Sequence, residues 1–152
     1  MKILINIPQT WRVAPSYTEF SIKIDQRDSV FEVQFGATEK QGNRFVELEK
    51  NLSFQDVYYF QQVQFDNKIL NYYLENNFDF SRVYDFSNGG HNRFREEWEN
   101  SDLCPDSSFY VVENSDIISL TSMSVGEALQ HYVLLGDETL IEIVAAGYNV
   151  LP

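Results

Sequence analysis

The chain has 152 residues, of which 43% are hydrophobic and 15% aromatic, and it carries a formal net charge of −12. That length and apolar content predict a single domain over residues 1–152 with its own core, and they exclude general disorder. No apolar run approaches the ~20 residues of a membrane span, and a field of this sign repels nucleic-acid phosphates and anionic lipid headgroups.

The chain opens with strands. Ile3, Ile5 and Ile7 alternate in "MKILINIPQ", which has neither the length nor the small-residue cleavage site of a signal peptide. "YTEFSIKID" sets Phe20, Ile22 and Ile24 against Glu19, Ser21 and Lys23. "SVFEVQFGA" sets Phe31, Val33 and Phe35 against Glu32 and Gln34. Period-two alternation marks half-buried antiparallel strands, "DQRD" suits the turn between them, and "RFVELEK" reads as a further strand.

The middle changes period. Ser53 and Asp56 resemble a capping box, with Phe54, Val57 and Tyr58 on one helical face. A second helix start stands at Asp66, with Ile69, Leu70, Tyr73 and Leu74 as its stripe and Asn76-Asn77 as its stop. "NFDFSRVYDFS" returns to aromatic alternation and reads as a strand into the Asn88-Gly89-Gly90 turn. Phe94 and Trp98, four apart, anchor a short helix over about 92–100. "SSFYVVE" and "IISLTS" are strand candidates.

At the C-terminal end Ser124 and Glu127 form a capping box. Val125, Ala128, Leu129, Tyr132 and Val133 then make a stripe, and Gly136 ends the helix. Asp137 caps the next helix, with Leu140, Ile141 and Val144 inward and Gly147 as its stop. A hairpin through "LLGDET" competes, because Gly-Asp also suits a tight turn; the two-helix reading is preferred. The fold class expected is α+β, with an N-terminal antiparallel hairpin sheet and helices in the middle and at the C-terminus.

Catalytic signatures are sparse. In "NGGHNRFREEWENSDLCPD" the Gly89-Gly90-His91 turn could present an imidazole, but Cys104 is 13 residues away and completes no nucleophile motif. Arg93 and Arg95 could meet an anion at a helix start, yet each falls at i,i+4 from Glu97 and Glu99 and suits an ordinary surface ion pair. His91 and His131 offer no metal-ligand spacing, so neither metal nor cofactor is expected. The C-terminal helix pair carries no Lys or Arg, which argues against direct nucleic-acid binding. One cysteine forbids an intrachain disulfide and suits a reducing compartment, so a cytoplasmic location is expected.

Charge asymmetry is the strongest remaining signal. Residues 1–50 carry seven basic and seven acidic side chains, whereas residues 96–152 carry eleven carboxylates and no Lys or Arg. Trp98 stands between Glu97 and Glu99, and an aromatic anchor among charges is how many tight interfaces are built. Glu96, Glu97, Trp98, Glu99, Asp102, Asp106, Glu113 and Asp116 are therefore the expected surface for a basic partner, with a core role for Trp98 as the competing reading.

This profile, carried by "HNRFREEWENSDLCPDSSFYVVENSD", resembles at class level the small acidic bacterial immunity proteins that neutralise nuclease or other toxins, including those of contact-dependent growth inhibition. The resemblance implies a stoichiometric binding inhibitor, not an enzyme, whose carboxylates cover the cationic site of a basic toxin domain. Two alternatives stand beside it. One is a small enzyme acting on an anionic substrate at the Gly89-Gly90-His91 loop. The other is an acidic DNA mimic or regulatory protein.

Overall fold

The computed structural model describes residues 1–14, 20–64, 66–125 and 128–152. The fold is mostly β rather than the expected α+β: eleven strands and three short helices occur among the described residues. The strands are β1 (Lys2–Asn6), β2 (Trp11–Val13), β3 (Ser21–Asp25), β4 (Val30–Gln41), β5 (Arg44–Gln55), β6 (Tyr59–Gln64), β7 (Phe78–Asp79), β8 (Phe109–Glu113), β9 (Gln130–Leu135), β10 (Thr139–Ala145) and β11 (Gly147–Val150). The helices are α1 (Asn67–Asn77), α2 (Gly90–Glu99) and α3 (Asp116–Val125).

Two sheets pack face to face. One runs β6-β10-β9-β8-β1-β7 and the other β11-β5-β4-β2, with β3 also paired to β4. The β4–β5 hairpin is the long spine of the second sheet, in register from Glu32↔Ser53 to Gln41↔Arg44. Its two-residue turn uses Gly42 at φ 63°, the left-handed region a tight hairpin needs. β2 and β3 share one edge of β4 in tandem, β2 along residues 37–39 and β3 along residues 30–34.

The alternation read in β3 and β4 sends Phe31, Val33, Phe35 and Ala37 into the space between the sheets. There they meet Leu52, Phe54, Phe109, Tyr132, Leu134, Ile141 and Ile143. A second core, with Leu4, Leu70, Leu74, Phe78, Tyr110, Val112, Val133 and Leu140, fills the other face of the six-stranded sheet under α1. In β1 the fully buried residue is Leu4, on that helix side, while Ile3 and Ile5 are only half-buried. Asp66 caps α1 by accepting from Ile69 N at 3.0 Å, at the position the sequence marks. Glu19, expected on the outer face of the second strand, lies outside the described residues.

The two C-terminal helices are absent, and residues 130–145 form the β9–β10 hairpin instead. Both strands are central in a sheet with a core on each face, so "HYVLL" and "TLIEIVA" are apolar on both sides. A continuous apolar run contains i, i+3, i+4 matches without being helical, and it loses the alternation that marks a one-sided strand. Gly136 closes the turn, and a Cβ there would stand 2.9 Å from the Phe20 ring, which any larger residue would have to displace. The expected capping box rests on the Ser124 side chain and Glu127, both outside what is described. "IISLTS", expected as a strand, lies within α3, because Ser115 Oγ accepts from Ile118 N and starts a helix.

The expected helix over 53–58 is also replaced. β5 continues to Gln55, and the chain then crosses from one sheet to the other through Asp56, at φ 53°. β10 and β11 make the same crossing beside it at Ala146. Tyr58 N donates to Val144 O (2.9 Å) and Ala146 N to Gln55 O (2.8 Å), so pairing runs unbroken around the corner. Strands that switch sheets at such a bend are how orthogonal sandwiches are closed. Among the described residues no helix is long and apolar enough to cross a membrane.

Candidate functional site

α2 is built as a rigid platform on the end of the β4–β5 hairpin. Gly89 takes φ 78°, and a Cβ at Gly90 would lie 2.6 Å from Asp85 O, so the turn demands this glycine pair for the close approach of backbone. Arg93 donates to the carbonyls of Asn88 (2.9 Å), Asp85 and Ser87 (both 3.3 Å), which ties the loop to the helix it precedes. At the other end Lys40 Nζ donates to Glu99 O and Ser101 O, each at 2.9 Å. A cation on the last carbonyls satisfies orphan acceptors and complements the helix dipole.

The inner side of α2 has its own small core. Phe94 and Trp98 are buried with Cys104, against Tyr84 and Phe86. Trp98 is 6% exposed, with ring centroids 4.8 Å from Phe45 and 5.9 Å from Phe94. Its Nε1–H has no hydrogen-bond partner among the described residues. Trp98 is thus the bolt that seats the helix, not an aromatic displayed to a partner. Burial pushes the Cys104 thiol up to about 12, although the hydrogen bond to Asp106 O and the Arg12 charge act the other way.

The outer side carries the charge. Glu96, Glu97, Glu99 and the following Asp102 are all exposed. Arg95 pairs with Glu99 at 2.9 Å, and Lys40 stands 3.9 Å from Asp102. His91 is exposed beside Phe86, with centroids 4.9 Å apart. Asp106 does not join this face: at 1% exposure it accepts from Ser108 N (3.0 Å) and Tyr110 Oη (2.7 Å) and holds the entry to β8. Burial, followed by the Asp106 charge, drives the Tyr110 phenol well above its ordinary value. Glu113 ends β8 on the side away from α2 and pairs with Arg82 at 3.4 Å, and Asp116 is exposed in the first turn of α3. The eight residues singled out in the sequence therefore separate. Four share one surface, two are internal, and two lie at the far end of β8.

A second constellation is one the sequence reading missed. His131 on β9 and Glu142 on β10 point to the α1 side of the sheet. Ser115 Oγ lies 2.7 Å from His131 Nδ1, and His131 Nε2 lies 3.0 Å from Glu142 Oε1. Lys2 Nζ stands 3.9 Å from the same carboxylate oxygen. The order of groups is that of nucleophile, base and orienter. All three side chains are buried, however, and the serine oxygen is occupied in starting α3. The arrangement satisfies a buried carboxylate and clamps α3 to the sheet. Its signal in the sequence was Glu142, a lone charge in "TLIEIVA", since a carboxylate in a two-sided core requires partners. Among the described residues no three His, Cys, Asp or Glu side chains converge as a metal site.

Comparison with protein-family models, curated proteins and solved structures gives no match to this chain.

Proposed function

We propose that the chain is a stoichiometric binding protein of immunity type. It acts in the cytoplasm and covers the cationic site of a basic toxin domain, with a nuclease as the first candidate partner. The observation that supports this reading most directly is the outer face of α2. Glu96, Glu97, Glu99 and Asp102 are held out on a helix whose inner face is bolted by Phe94 and Trp98 and whose ends are fixed by Arg93 and Lys40. Carboxylates carried on a fixed backbone steer a basic partner into contact. Trp98, buried beneath the helix, is not displayed on this surface, so the contact rests on charge and shape.

The test is the association rate with a co-purified basic partner. Glu96→Lys, Glu97→Lys and Glu99→Lys together should slow association by about ten-fold or more at low salt, with the difference shrinking as salt rises. A triple variant that associates at the original rate would remove α2 from the contact.

A further inference from the structure

The sandwich is open at the corner where the strands change sheets. Phe60, Gln62 and Gln64 pair with Ile143, Ile141 and Thr139, so their side chains lie on the face turned towards the second sheet. That sheet does not reach over them, and all three are exposed. Between the β3–β4 turn and the start of β6 a cavity of about 420 Å³ results. Ile24, Tyr58 and Phe60 line it at 53%, 44% and 36% exposure. Phe31 forms part of its lining, with the Phe60 ring edge-on to it at 5.3 Å.

Two acidic residues, Asp25 and Asp56, also line the cavity, and among the described residues no Lys or Arg does. Asp25 is held in place by accepting from the turn amides of Arg27 (3.0 Å) and Asp28 (3.3 Å). Aromatic faces and an aliphatic wall beside carboxylates of one sign match a long cationic side chain. The stem of such a side chain would lie along the apolar wall, and its head would reach the acidic residues and the aromatic rim.

We propose that this cavity is a second docking point, which takes an arginine or lysine side chain of a protein partner. The choice of a basic protein partner rests on the reading above, but the surface is a different one. α2 sits by the β4–β5 turn against Lys40 and Phe45, whereas the cavity is lined by Phe31 and Phe54 nine residues further along each strand, a contour of about 30 Å.

The experiment is a titration of the ¹⁵N-labelled full chain with an acetylated, amidated Arg-Gly-Arg-Gly-Arg peptide, followed by amide chemical shifts. A peptide with citrulline in place of arginine keeps the shape and removes the charge. Saturable shifts at residues 24–31 and 54–60, absent with the citrulline peptide, are expected. Asp56→Asn should weaken binding by about ten-fold, the loss of one charge-assisted contact, and asparagine tolerates the φ of 53° at that position. Ile24→Ala, on an exposed strand, should weaken it by about three-fold through loss of the apolar wall. Shifts confined to residues 96–102 would overturn this proposal and leave the α2 surface standing. Equal binding of the citrulline peptide, undiminished binding by Asp56→Asn, or no saturable shift at the cavity would overturn it too, while the association rate of the α2 variants is measured separately.

Discussion

Removing the Trp98 side chain separates the two roles that a tryptophan among glutamates can have. As a seated residue it is 94% covered, and a tryptophan buries about 150–250 Å². At about 25 cal/mol per Å² the transfer alone reaches about 4–6 kcal/mol as an upper bound. Truncation of buried tryptophan or phenylalanine costs about 3–5 kcal/mol in practice. Trp98→Ala also falls on a satellite cluster with only Phe94 and Cys104 as its other fully buried members, so α2 can detach before the sandwich melts. We expect a loss of about 3 kcal/mol by urea unfolding, with faster amide exchange across residues 90–99 and little change in β4 or β10. Trp98→Phe keeps an aromatic ring against Phe45 and removes an indole N–H that has no acceptor, so it should cost only about 1 kcal/mol. A midpoint for Trp98→Ala within about 0.5 kcal/mol of the parent, the range of surface substitutions, would refute the seating argument. Loss of partner affinity in a fully stable Trp98→Phe protein would return the residue to the interface.

Two further outcomes follow from the buried polar groups. His131→Ala removes the Nε2 partner that Glu142 has at 3.0 Å, and stripping a partner from a buried polar group costs about 1–3 kcal/mol; Glu142→Gln, which keeps an acceptor for His131, should cost about 1 kcal/mol by urea unfolding. The Glu39 carboxyl feels burial, which raises its pKa, but hydrogen bonds from Lys50, Gln41 and Thr10 outweigh burial and hold it below the ordinary value. Its stabilising contribution is therefore complete above the unfolded carboxyl value of about 4.3 and is lost as pH falls through the lower folded value. Glu39→Gln should be less stable than the parent at pH 7, and urea midpoints measured down to pH 3 should converge.

What was legible in the sequence were the elements with one wet face. β3 and β4 alternate because one side of each is solvated, and α1 shows its ends because Asp66 caps it at an exposed start and Asn76 and Asn77 donate to the carbonyls of Tyr72 and Tyr73 in its last turn. β9 and β10 gave the opposite impression because they are dry on both sides, and period carries little information where apolar residues fall on both faces. The bend at Asp56 was hidden for another reason. Its capping-like Ser53 and Asp56 serve a strand and its turn to the next sheet, where the long-range pairing to β11 and β10 decides the conformation. The candidate surface was half legible. Sequence adjacency placed Glu96, Glu97, Glu99 and Asp102 together because a helix and its exit keep neighbours close. It failed for Trp98 and Asp106, whose side chains turn inward, and for Glu113 and Asp116, which β8 carries away.

The basic residues around α2 are engaged mainly by neutral groups of the fold. Arg93 donates to three backbone carbonyls, and Lys40 gives its short contacts to two more at the helix end. Arg12 lies over the rings of Phe94 and Phe86, at 4.8 Å and 5.1 Å. These cations hold the helix in place through oxygen dipoles and ring faces, so their hydrogen bonds are used for architecture rather than for pairing the outer carboxylates. Arg95 alone makes a close pair with one of the α2 glutamates, and that pair is exposed and worth at most about 1 kcal/mol. Since exposed charges act over about 8 Å at physiological salt, a partner approaching the outer face feels the exposed Arg93 and Arg95 together with Glu96, Glu97 and Asp102. Hydrogen bonds to carbonyls leave the charge of these cations in place, so the field at the face is the difference between its carboxylates and its cations, and reversing Glu96, Glu97 and Glu99 to lysine makes it positive.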